Sequence, residues 1–139
     1  SRPLDSYFCS SKKRIRSQMV WFFNMLPFLS LFFRQLYRIH VNLIKNALYV
    51  IAMAQRGEIN IWTESGDKYH YLYFKDTAKG MSKQQLNRLF NHFYTTTFMG
   101  TGIGLSFCKL VMNAFGGDIV CESKEGEYTL FILSFPGSV

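Results

Sequence analysis

An α+β sandwich, with helices packed on one face of a mixed, mostly antiparallel sheet, is the fold class this sequence predicts. Three observations point to it. Apolar residues recur at helical spacing from Leu31 to Ile51, two pairs of short alternating runs read as hairpins, and two further helical stretches lie between those pairs. The 139 residues match one domain, and 48% hydrophobic with 17% aromatic content excludes a disordered chain.

Taken in order, residues 1–18 read as a basic tail or linker and residues 19–136 as the domain. The formal charge of +7 is concentrated at the start, where Arg2, Lys12, Lys13, Arg14 and Arg16 face only Asp5; the remainder carries 11 basic and 8 acidic residues. Such a tail could meet nucleic acid or an acidic membrane surface, but a charge run of this kind reads first as a solvated terminus. Met19 to Phe33 is strongly apolar yet only 15 residues long, interrupted by Asn24, Pro27 and Ser30. That is short of the roughly 20 apolar residues a spanning helix needs. Because proline lacks an N–H and clashes with the preceding turn, the expectation is a buried strand or short helix over 19–25 and a break near Pro27.

From Ser30 the pattern is helical to about Gly57, placing Asn42 and Asn46 one turn apart on one face. Ile59–Thr63 alternates as a strand, Ser65-Gly-Asp67 forms a turn, and Tyr69–Phe74 returns. Asp76-Thr-Ala-Lys-Gly80-Met81 is expected to leave that strand as a loop. Ser82 and Gln85 fit a capping box opening a helix from Lys83 to about Phe93. A polar linker, Tyr94–Phe98, leads to Gly100-Thr101-Gly102-Ile103-Gly104-Leu105 and a helix, Leu105–Phe115. Asp118–Glu122 and Tyr128–Phe135 form the second hairpin, ending at Pro136. Cys9, Cys108 and Cys121 are widely spaced, without metal-ligand spacing, and read as buried thiols of a cytosolic protein.

The glycine stretch carries the chemistry, since glycines before a helix let a backbone approach a phosphate at the positive end of the helix dipole. A dinucleotide-binding βαβ unit would need a strand directly ahead of the glycines, and a P-loop would end in Gly-Lys-Ser/Thr where this chain has Gly104-Leu105-Ser106. Neither fits.

A different arrangement does. Asn42-Leu-Ile-Lys-Asn46-Ala47, Asp76-Thr-Ala-Lys-Gly80, Leu89-Phe90-Asn-His-Phe93-Tyr94, Gly100-Thr-Gly-Ile-Gly-Leu105, Phe115-Gly-Gly-Asp-Ile119 and Gly126-Glu-Tyr-Thr129-Leu-Phe131 follow in that order. Together they resemble the N, G1, F and G2 boxes of the ATP-binding catalytic domain of sensor histidine kinases, in the gyrase, Hsp90, histidine kinase and MutL (GHKL) superfamily, over about residues 36–136. Phe93-Tyr-Thr-Thr96 and Gly126-Glu-Tyr-Thr129 are similar to hybrid kinases of bacterial quorum sensing. Singly, Asn42 and Asn46 read as helix-surface residues and Asp76 as a turn or N-cap residue; the joint order makes the resemblance.

The resemblance implies the Bergerat two-layer α/β sandwich, ATP and Mg²⁺ as ligands, and transfer of the γ-phosphate to a histidine on a separate dimerisation domain. Asn46 matches the Mg²⁺-ligating amide, with Asn42 facing the same phosphates; these two are the candidate catalytic residues. Asp76 matches the carboxylate that accepts from the adenine amino group, Gly80 lets the base approach the backbone, and Thr129 lines the adenine end. Gly100, Thr101, Gly102, Ile103, Gly104 and Leu105 form the phosphate-facing stretch, and Phe90 and Phe93 anchor the lid. Related hydrolases carry a Glu general base where this chain has Asn42, which favours phosphotransfer over hydrolysis. His40, His70 and His92 lack the acidic and basic neighbours of a phosphoacceptor.

The expected partners are therefore the histidine phosphoacceptor domain of a larger protein and a downstream response-regulator or receiver domain, not nucleic acid. The expected location is the cytoplasmic side of a membrane-bound sensor, with membrane contact only through the rest of that protein. Ala78 stands where the family has the first G1 glycine, and Tyr49 where many members have a phosphate-contacting Lys. Both point to an alternative: a degenerate nucleotide-binding domain acting as a regulatory docking module.

Overall fold

The computed structural model describes residues 3–91, 94 and 104–137, with side chains from residue 24 onward. The chain divides into two compact units, Ser1–Tyr37 and Arg38–Val139.

The first unit is helical. Helix α1 runs Pro3–Ala54 with Pro27 inside it, so the strand or short helix expected over 19–25 and the break at Pro27 are both replaced by continuous helix. The expected basic tail is helical backbone as well from Pro3. Proline already holds a helical φ; what it forfeits is one intrahelical hydrogen bond and some steric fit, about 3 kcal/mol. Helix propagation adds one hydrogen bond per residue, and the many turns on both sides carry that cost. The Ser30 hydroxyl donates to the Pro27 carbonyl at 3.1 Å, and Phe32 and Phe33 meet edge to face at 5.8 Å between centroids. No helix among the described residues is long and apolar enough to cross a membrane.

The second unit holds the last turns of α1, then β1 (Ile59–Ser65), β2 (Tyr69–Asp76), α2 (Lys83–Arg88), α3 (Gly104–Ala114), β3 (Asp118–Lys124) and β4 (Tyr128–Pro136). The four strands form one sheet in the order β1-β2-β4-β3, and each neighbouring pair is antiparallel. The expected two-layer α+β architecture is present, with this sheet antiparallel rather than mixed. Alternation along the strands sends Phe74, Ile119, Phe131 and Leu133 to one face, where they bury against Ile39, Leu43, Leu89, Cys108 and Met112. The opposite face carries Trp62 stacked on Tyr73, 4.8 Å between centroids.

Local chemistry explains the boundaries. The capping box at Ser82 is formed in both directions, Gln85 N–H to Ser82 Oγ at 3.2 Å and Ser82 N–H to Gln85 Oε1 at 3.0 Å. Helix α2 nevertheless stops at Arg88, short of the expected end near Phe93, which itself lies outside the described residues. Helix α3 closes with Gly116 at φ +77°, the Gly117 N–H reaching Met112 O at 3.0 Å and the Gly116 N–H reaching Asn113 O at 3.1 Å. Those two bonds satisfy carbonyls the helix end would leave open, in the arrangement that favours glycine. Strand β2 continues two residues beyond the expected Phe74, so Asp76 is the last strand residue rather than the first of a loop.

Candidate nucleotide-binding site

The first candidate cluster is built at the termini of β2 and β4. Asp76 pairs in register with Thr129, and both are buried, at 5% and 7% exposure. Burial raises the Asp76 carboxyl above the usual carboxylate range, while the Ala78 N–H, 3.3 Å from Oδ1, lowers it in part. A carboxylate kept from water with one oxygen engaged by a backbone N–H is suited to accept from a ligand amine at the other.

The segment after Asp76 is clipped onto the turn between β3 and β4. The Gly126 N–H donates to Lys79 O at 2.6 Å, and the Met81 N–H donates to Ser123 Oγ at 2.8 Å. Ser123 Oγ donates to Tyr128 O at 2.7 Å and lies 3.2 Å from Thr129 Oγ1. Arg56 reaches the Gly126 carbonyl at 3.0 Å. Gly80 sits at φ +61° so close to the Lys124 and Tyr128 carbonyls that a side chain there would overlap the backbone. Ser123 is a site-building residue that sequence reasoning missed, because a strand serine carries no spacing signal. Ala78, at the departure from the family glycine, is completely buried.

The second cluster joins α1 and α3. Asn42 is half-buried, and a Cβ built on Gly104 would lie 3.1 Å from its Oδ1. Its Nδ2 donates to Cys108 Sγ at 3.9 Å. Cys108 is fully buried, and burial pushes its thiol up to about 11, with the Asn42 hydrogen bond opposing. Arg38 lies over the Phe107 ring at 4.4 Å, reinforcing the same helix pair. The structure thus brings Asn42 together with Gly104, and Asp76 together with Thr129. Asn46 follows Asn42 by one turn and is half-buried, as is Tyr49.

Gly100, Thr101, Gly102 and Ile103 lie outside the described residues. Leu105 and Phe90 pack against the core, so both are packing residues in this structure. Lys45 and Lys79 are exposed. His40 lies 5.5 Å from the Phe74 ring. Among the described residues no group of three or more His, Cys, Asp or Glu could hold a metal. The side-chain amide of Asn46 offers a hard oxygen donor of the kind a divalent cation takes alongside phosphate and water oxygens.

The profile of the family described as histidine kinase-, DNA gyrase B- and HSP90-like ATPase matches residues 33–139. The chain belongs to that family. Among curated relatives, it is 38% identical over 96 residues to the autoinducer 1 sensor kinase/phosphatase LuxN of Vibrio campbellii, covering 68% of this chain and 11% of that protein. The CAI-1 autoinducer sensor kinase/phosphatase CqsS of Vibrio cholerae matches at 38% identity, over 68% of this chain and 14% of that one. Sporulation kinase E of Bacillus subtilis matches at 37% identity over 73% of this chain and 14% of its own length. The chain thus spans a small fraction of these multidomain sensor kinases.

Solved structures agree on the fold. The catalytic domain of histidine kinase ThkA aligns at TM-score 0.64 and 26% identity, covering 74% of this chain and 66% of that one. Full-length ShkA in complex with AMPPNP aligns at TM-score 0.66 and 21% identity, covering 76% of this chain and 22% of that one. The expected relation to histidine kinase catalytic domains is borne out, and with it the helices-on-one-face fold class.

Proposed function

We propose that this chain is the ATP-binding catalytic domain of a two-component sensor histidine kinase, presenting the γ-phosphate of ATP to a histidine on a separate dimerisation domain of a larger protein. The observation that carries the reading is Asp76: a buried carboxylate at the end of β2, with Oδ1 engaged by the Ala78 N–H and Thr129 across the register. Buried acids are retained where they meet a specific partner, and an exocyclic amine next to a ring nitrogen is such a partner.

In this reading Asp76 accepts from the adenine amino group, the Gly80 backbone leaves room for the base, and Thr129 borders it. Asn42 and Asn46 face the phosphates from α1, Gly104 and Leu105 meet them from the start of α3, and the family resemblance adds Gly100, Thr101, Gly102 and Ile103 to the phosphate contacts. Asn46 would hold Mg²⁺ through its amide oxygen; the ion would neutralise charge on the transferring phosphoryl group. No acid at position 42 is available to activate water, which favours a histidine nucleophile over hydrolysis. His40 lies against Phe74, consistent with a phosphoacceptor carried elsewhere. The wider assignments belong to the same proposal: a receiver or response regulator downstream, and a cytoplasmic position within a membrane-bound sensor.

The test is calorimetric titration with ADP and AMPPNP, with and without Mg²⁺. Binding in the micromolar to millimolar range that tightens with Mg²⁺ is expected, followed by phosphotransfer from labelled ATP to a helical phosphoacceptor domain. No heat at millimolar nucleotide would overturn the reading. Binding without any transfer would instead favour the degenerate docking module, for which Ala78 and Tyr49 speak.

A further inference from the structure

We propose that Cys108 is a positioning residue for the phosphate end of the site, its sulfur holding the Asn42 amide so that Oδ1 faces the first turn of α3. The proposal rests on the reading of Asn42 as a phosphate-facing group. Gly104 and Cys108 are one helical turn apart and so share a face of α3; Asn42 meets both. Its Nδ2 donates to Cys108 Sγ at 3.9 Å. Its other end is turned to Gly104, where a Cβ would lie 3.1 Å from Oδ1 but 3.8 Å from Nδ2.

Each end of the amide has a chemical reason to stay where it is. The first turn of a helix presents N–H groups without intrahelical acceptors, so a carbonyl oxygen is favoured there and an NH₂ group is opposed. The sulfur, fully buried among Ile39, Leu43 and Met112, offers the amide N–H an acceptor where the neighbouring side chains are apolar. Reversing the amide would set donor against donor at Gly104. With the thiol protonated across the physiological range, the sulfur stays a neutral partner and adds no charge beside the phosphates. One Nδ2 hydrogen is thereby engaged and the second is held in a fixed direction, which is preorganisation of a phosphate donor before ligand arrives. A side chain at Gly104 would crowd the same contact, since Oδ1 would have to give by a few tenths of an ångström.

The experiment compares ADP, AMPPNP with Mg²⁺, and adenosine on the 139-residue chain by calorimetry, with thermal melts recorded alongside. Cys108→Val keeps a similar volume without the acceptor; Cys108→Ser keeps a polar acceptor. Cys108→Val is expected to weaken AMPPNP and ADP about three- to tenfold, the size of one buried hydrogen bond, while leaving adenosine affinity unchanged. Cys108→Ser is expected to recover most of that loss. In an Asn42→Ala background Cys108→Val should add nothing, since the two act through one contact. Equal loss for adenosine and AMPPNP, full additivity with Asn42→Ala, or wild-type AMPPNP affinity in Cys108→Val would each overturn the proposal. Should valine unfold the chain, Cys108→Ala carries the same comparison. A wild-type chain that binds none of the three fails at the nucleotide-binding reading itself, an outcome distinct from a wild type that binds and a valine variant that binds equally well.

Discussion

Asp76→Asn should move stability and ligand affinity in opposite directions, and that opposition is what makes it diagnostic. The native carboxyl titrates above its ordinary 3.8, raised by burial and only partly lowered by the Ala78 N–H. The folded state therefore binds this proton more tightly than the unfolded chain. Stability is lost as pH rises from about 4 through the native value, and the cost of the buried charge is fully present at neutral pH. Asparagine keeps an oxygen for Ala78 and carries no charge, so the variant without ligand should melt higher than wild type at pH 7. The gain should vanish below about pH 3.8, where both carboxyls are neutral.

Nucleotide reverses the order. A ligand at 100 times its Kd stabilises by about 2.7 kcal/mol, near 10 °C for a domain of this size. Removing a charge-assisted acceptor costs about 1.5–3 kcal/mol, or roughly 10- to 150-fold in affinity, and the asparagine NH₂ opposes the adenine amine besides. The ligand-induced shift should fall from about 10 °C to about 5 °C or less at the same ADP concentration. Differential scanning fluorimetry at pH 7 and pH 4, with and without ADP, reads both effects. An Asp76→Asn variant with an undiminished ADP shift would refute the adenine assignment; one that melts lower than wild type without ligand would refute the argument from burial.

The other predictions concern separate parts of the chain. Asn46→Ala should leave the melting temperature within about 2 °C, because a half-buried side chain is removed, but weaken Mg²⁺-dependent AMPPNP binding by about tenfold or more; calorimetry with and without Mg²⁺ decides. Gly80→Ala combines φ +61° with backbone overlap at Lys124 and should cost about 3 kcal/mol or more, read as the midpoint of urea unfolding. Burial raises the Asp118 carboxyl, but the Lys109 hydrogen bond at 2.7 Å, the Ile119 N–H and the Lys109 charge together leave it below the ordinary range. Its contribution is present at neutral pH and lost as pH falls through the native value below about 4, so Asp118→Asn should melt lower than wild type at pH 7 and no lower at acid pH. Pro27→Ala restores an intrahelical donor in α1 and should raise the helical circular dichroism signal; an unchanged signal would mean that the proline costs the helix nothing.

Much of the candidate site was legible as residue order along the chain. Asn42 and Asn46 one turn apart and Asp76 just after an aromatic run each have a local physical reason, so their spacing survives into the fold. The contacts of Ser123 and Cys108 within the candidate site were not legible. Each acts across a long sequence separation, Ser123 on Met81 and Cys108 on Asn42, and a serine in a strand or a cysteine in a helix has no periodic signature. The helix at Pro27 was misread for a related reason. A proline penalty is local and visible, whereas the cooperative gain of a long helix is summed over many residues and is not.

By itself the sequence determined the element order from Ser30 onward, both hairpins, the capping box at Ser82, the glycine stop after α3 and the membership of a kinase-type ATP-binding family, because turn, cap and period are properties of neighbouring residues. Only the tertiary structure decided that Asp76 is a buried strand end rather than a loop residue, that Ser123 clips the following segment to the β3–β4 turn, and that the Asn42 amide donates to Cys108 of α3 beside Gly104. Burial, register and the approach of one backbone to another are set by elements distant in sequence, so they exist only once the sheet and its helices are assembled.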